Sequence, residues 1–219
     1  MKKAVMVMIG LSLAVSGVAF ATGTEVEVGG EGAKGNANPF NSSKAAMRYQ
    51  TMWKQDEINI GGTIAKIEFK FHSYIGTPPT AFDGYKVMLC HSRRTELSNN
   101  YTTNYNFKEP TVVYEGEYEI PAGLAQDDWL TVCNTNGAFN YNNNMGVNLL
   151  IEIVWTSAAG ADRNLCWIST AGQMGRLRAF NAEAETGTLL ANQGNIARLT
   201  FGNPAVSPTS LGRVRALYR

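Results

Sequence analysis

The chain has 219 residues, 44% of them hydrophobic, and carries 19 basic and 18 acidic side chains for a formal charge of +1. Removing a leader that contains Lys2 and Lys3 takes that charge to −1, so no general attraction to nucleic acid or to anionic lipid is expected. The remaining length suffices for one full core, and 22 glycines with Asn-rich turns favour many short strands over long helices.

The first residues, "MKKAVMVMIGLSLAVSGVAFATG", join a positive start at Lys2 and Lys3 to an apolar run. Ala19, Phe20 and Ala21 supply a small-x-small cleavage site, so residues 1–21 read as a secretory signal peptide. Gly10, Ser12, Ser16 and Gly17 interrupt the run too often for a membrane span. The mature chain is therefore expected to be secreted, extracellular or on the cell surface, with the periplasm compatible and no transmembrane span. Residues 22–202 read as one domain with a Gly-rich lead-in, and residues 203–219 as a linker and strand-like tail.

Along the domain, "TEVEV" reads as a short first strand. In "SKAAMRYQTMWKQDEI", Met47, Tyr49, Thr51 and Trp53 alternate, which predicts a strand running into a short turn near residues 55–57. "AKIEFKFH" alternates strictly: Ile67, Phe69 and Phe71 point one way, Lys66, Glu68, Lys70 and His72 the other. "IGTPPTAFDG" must turn, and "DGYKVMLCH" is apolar on both faces, as an inner strand is. "PTVVYEGEYEI" and "DDWLTVCN" form the next pair of strands, split by "PAGLAQ". "YNNNMG" supplies a hairpin turn before "GVNLLIEIVW", whose branched apolar residues predict a central strand. "RNLCWIST", "GRLRAF" and "NIARLTFG" complete the series. The expected fold is all-β, an antiparallel sandwich of about eight to eleven strands with jelly-roll-like character.

The order of "NPFNSSKAAMRYQTMWKQDEINIGGTIAKIEFKF", "GYKVMLCHS", "VVYEGEYEI", "DDWLTV" and "AFNYNNNMGVNLLIEIVW" resembles a β-sandwich domain of secreted bacterial surface proteins. That domain often sits beside fibronectin-like or sorting modules. The resemblance covers residues 38–202. It implies the fold and supplies no catalytic residues.

The residues that could carry chemistry are few. Cys90, Cys133 and Cys166 are an odd number in an exported chain, either small buried hydrophobes or one disulfide and a free thiol. They lack metal-ligand spacing, and no metal or other cofactor is expected. His72 lies on the wet side of its strand, and His91 points away from its neighbour Cys90. With no nucleophile-elbow pattern, the chain is expected not to be an enzyme. An extracellular hydrolase assembled from distant residues is the outlying alternative. Asp127 and Asp128 read as turn acids. Trp53, Trp129, Trp155 and Trp167 read as core.

Three patterns point to contacts. Glu115, Glu117 and Glu119 form an acidic row, either solvated and guarding an edge or docking a basic strand. The loop "ELSNNYTTNYNFKEP" carries Tyr101, Tyr105 and Phe107 beside Asn amides, an arrangement that either stacks on a sugar or folds back over the sandwich. In the tail "TSLGRVRALYR", Val214, Ala216 and Tyr218 share one face of an extended strand and Arg213, Arg215 and Arg219 the other. The tail then docks on its own edge, docks on a neighbour's by β-augmentation, or serves as a sorting signal. The expected role is structural, adhesive or assembly-forming, through self-association or other extracellular proteins. Carbohydrate binding through the aromatic loop is the alternative.

Overall fold

The computed structural model describes residues 23–202 except 33, 77–79, 107, 160–162 and 171–174. The leader at 1–21 and the linker and tail at 203–219 lie outside the described residues. In chain order the first strands are β1 (Thr24–Val28), β2 (Lys34–Asn36), β3 (Met47–Trp53), β4 (Gly62–Ile75), β5 (Thr80–Ser92) and β6 (Thr111–Ile120). Then come β7 (Trp129–Asn134), β8 (Asn140–Tyr141), β9 (Asn148–Trp155), β10 (Ser157–Ala158) and β11 (Arg163–Ser169). The last are β12 (Arg176–Ala179), β13 (Thr188–Leu190), β14 (Gly194–Asn195) and β15 (Ala197–Gly202). One helical turn, α1 (Gln55–Ile58), follows β3.

The strands form two antiparallel sheets packed as a sandwich. The first runs β1-β15-β4-β11-β14, with β7 and β8 also on β4 and β2 on β11; the second runs β10-β5-β9-β3-β12-β13, with β6 on β5. The chain changes sheet at most connections, including β3 to β4, β4 to β5 and β11 to β12. Ten strands have four residues or more; the other five are pieces of two or three residues. Pieces that short carry no alternation to read, so sequence patterning counts only the longer ones.

Alternation builds the core. Tyr49 and Trp53 from β3, Phe69 and Phe71 from β4, and Ile151 and Trp155 from β9 meet between the sheets with no exposed surface. Burying an aromatic body also buries its polar tip, which then needs a partner. Trp155 Nε1 donates to Pro39 O at 2.9 Å, Trp53 Nε1 to Asn195 O at 3.0 Å, and the Tyr85 hydroxyl to Val132 O at 3.1 Å. The outer side of β4 holds the expected polar set, but Glu68 is only 4% exposed. Arg198 Nε at 2.7 Å and Lys66 Nζ at 3.0 Å close over it.

The second sheet is covered on its outer face as well. Met52, Cys90 and Leu150 point out of it and meet Leu97, Tyr101 and Leu177 in a second apolar cluster. This explains why β9 is apolar on both faces: it lies between β3 and β5, under cover on each side.

Two expectations about pairing need correction. β6 and β7 are consecutive but belong to opposite sheets, β6 on β5 and β7 on β4. Alternation fixes which side chains face inward and leaves the partner strand open. "YNNNMG" is likewise no hairpin. A 3-10 turn over Asn143–Met145 and Gly146 at φ 62° carry the chain from β8 in one sheet to β9 in the other.

Candidate functional site

The long loop after β5 folds back over the outer face of the second sheet. Asn104 organises it: its Oδ1 accepts from Ser98 N at 2.8 Å, and its Nδ2 donates to Gln50 Oε1 at 2.8 Å. Asn100 Oδ1 accepts from Thr103 N at 2.9 Å and starts a 3-10 turn, Thr102–Tyr105. A strap at residues 181–187 lies beside it. Tyr101 N donates to Glu185 O at 3.0 Å, and Gly187 N to Asn99 O at 2.8 Å.

Beneath the loop sits an ion pair that the sequence reading did not single out. Arg48 of β3 donates through Nε to Glu152 Oε1 of β9 at 2.7 Å, and Glu152 is 1% exposed. Arg48 also reaches Ala184 O at 2.9 Å and the Tyr105 hydroxyl at 3.1 Å. Gln50 Nε2 donates to Glu152 Oε2 at 2.6 Å, and the Tyr105 hydroxyl donates to the same oxygen. Burial works against the Arg48 charge, but Glu152 and Tyr105 outweigh it and hold the guanidinium above its ordinary value. Burial, then Glu152, push the Tyr105 hydroxyl well up, so it remains a donor. The arrangement is a clamp: every polar group is spent on holding the loop to the sheet.

The expected aromatic platform is corrected accordingly. Tyr101 has no exposed surface, its ring carries the Arg48 guanidinium at 4.5 Å, and its hydroxyl donates to Arg48 O at 2.6 Å. It offers no face to a sugar. Tyr105 is half-buried with its hydroxyl engaged, and Phe107 lies outside the described residues. So do Arg213, Val214, Arg215 and Tyr218 of the tail.

Both histidines pack on aromatic rings. His72 packs on Trp167 at 4.4 Å between ring centres, and its Nδ1 lies 2.7 Å from Ser73 Oγ. His91 stacks on Tyr141 and accepts from Asn142 N at 3.1 Å. Burial, with Lys108, holds its imidazole below the ordinary value. Cys90, Cys133 and Cys166 are all buried and free, which settles the disulfide question in favour of apolar packing. Burial pushes the Cys90 and Cys133 thiols up to about 12. Trp53 and Trp155 are core as expected, whereas Trp129 and Trp167 are half-exposed.

Two concave surfaces among the described residues bear on function. One end of the sandwich holds a basin of about 680 Å³ lined by Asn59, Asn140, Asn142, Asn144, His91 and Lys108. On one flank, the edge strands β6 and β7 border a cleft of about 340 Å³ floored by Tyr114, Tyr118, Leu124, Trp129, Leu130 and Cys133. Glu115, Glu117 and Glu119 are all exposed along β6. Compared with known families and curated proteins, the chain matches no family model and no curated protein.

Proposed function

We propose that the mature chain is a secreted or surface-displayed, non-catalytic β-sandwich that works as a structural or adhesive subunit by assembling through a strand edge. The observation that carries this is β6. It is ten residues long and, among the described residues, pairs as a strand only with β5. It borders a cleft with an aromatic floor, on whose rim Glu117 and Glu119 stand, and its three carboxylates are exposed. A long unpaired edge templates the addition of another strand. The leader-like start of the chain and the resemblance of residues 38–202 to surface-protein domains support the extracellular setting.

Size-exclusion chromatography with light scattering on the chain lacking residues 1–21 tests this reading. The expected result is a mass above one chain that rises with concentration and falls with added salt. A single-chain mass at the highest soluble concentration overturns it.

A second reading has its own observation. The Asn-lined basin presents amides that could hydrogen-bond sugar hydroxyls, giving a carbohydrate-binding module. A glycan array is expected to register binding that Asn142→Ala and Asn144→Ala together abolish; silence across a broad array removes this reading.

A further inference from the structure

We infer that the cleft between β6 and β7 is the acceptor for the chain's own residues 209–219, which add to the β6 edge as a further strand. This deepens the assembly reading by naming the partner of the same edge.

The β6 edge is open in part: Val113 O accepts from Asn136 N and Glu117 O from the Tyr114 hydroxyl, and no strand pairs along it among the described residues. β6 is hydrogen-bonded to β5 along one side, and β7 to β4 along one side. The two edges are tied across the flank by the Tyr118 hydroxyl donating to Thr131 O at 2.7 Å and by Asn136 N donating to Val113 O at 2.9 Å. Between them the cleft keeps its aromatic floor, with Tyr118 stacked on Tyr85 at 4.1 Å.

The charges match by face. Lys86 Nζ lies 2.9 Å from Glu115, while no cation pairs with Glu117 or Glu119 among the described residues. A strand added beside β6 puts alternate side chains over the cleft and over the acidic row. Residues 209–219 have that division. Val214, Ala216 and Tyr218 are the apolar set for the cleft; the other face carries Arg213, Arg215 and Arg219 with Leu217 among them, and Arg213 and Arg215 have the two-residue spacing of Glu117 and Glu119. The length matches too: seven extended residues span about 23 Å, and Tyr114 to Ile120 is also a seven-residue run.

Other edges fit less well. β1 carries Glu25 and Glu27 but has five residues, and Arg198 already serves Glu25 at 3.6 Å. β13 has three residues and no acid.

The test uses the whole mature chain with a photo-crosslinking residue in place of Tyr218. Illumination is expected to join it to Tyr114, Tyr118 or Trp129. Glu117→Lys with Glu119→Lys is expected to cut the yield several-fold. Adding Arg213→Glu and Arg215→Glu to the same chain is expected to restore it. Both glutamates are exposed, so circular dichroism should show the reversed chain folded. Crosslinks outside the cleft, or a yield indifferent to charge reversal, overturn the inference. Mixing isotopically heavy and light chains separates the two proposals. Heavy–light crosslinks put the donor strand in a neighbouring copy. Crosslinks in the cleft confined to single chains uphold the docking and remove the assembly reading.

Discussion

Arg48 and Glu152 lie in adjacent central strands, yet they are 104 residues apart in sequence. Each is a lone charge in an otherwise buried or apolar strand, and that was the available signal; only the β3–β9 pairing turns it into a partnership. A buried charge left without its partner costs more than the pair contributes. Glu152→Leu, which strands the Arg48 guanidinium, is therefore expected to lower unfolding free energy by about 3–5 kcal/mol. Adding Arg48→Met should recover part of that loss in urea denaturation. The thiols make a second prediction at this scale. With Cys90 and Cys133 pushed up to about 12 and all three cysteines buried, a thiol reagent at neutral pH is expected to label none in the native chain and three after denaturation.

The strap at residues 181–187 makes its closest approach at Gly187, where an added Cβ would meet Arg178 O at 2.6 Å and the Tyr101 hydroxyl at 2.9 Å. The first of these is backbone and cannot step aside cheaply. Gly187→Ala is expected to cost about 1–3 kcal/mol and to raise hydrogen exchange in residues 99–105 more than in β4. Equal change in both segments would show that the strap is not a separate cover. The strap and loop were also the least legible elements. "ELSNNYTTNYNFKEP" shows aromatic rings and amides in a polar loop, and such a composition serves a ligand platform or a packed cover equally well. What decides between them is the outward set of Met52, Cys90 and Leu150, which lies on other strands. By contrast, β3, β4 and β9 were legible from alternation, since Ile67, Phe69 and Phe71 fall inward as their spacing requires. The partners of β6 and β7 were not, because a two-residue period says nothing about which sheet a strand joins.

Across the whole molecule, the titrating groups set a window of stability. Burial and Lys108 hold His91 below its ordinary 6.5. Burial opposes the Glu68 charge, but Arg198 and Lys66 hold that carboxyl below its ordinary value of 4.5. Folded values depressed in this way contribute stability that is lost as pH falls through them. The thiols are shifted the other way, from 9.0 to about 12, so their contribution is lost as pH rises through that range. Urea midpoints are therefore expected to be level between 6.5 and 9.0 and to fall on both sides. A midpoint that climbs steadily to pH 11 would contradict the burial of the thiols.

The last described strand, β15, is zipped between β1 and β4, pairing Leu199 with Val26 on one side and with Ile67 on the other. A chain made from its amino end holds β1 and β4 apart until Gly202 has left the ribosome. Closure of the first sheet then waits for β15, so this sheet is completed late, by its last described strand.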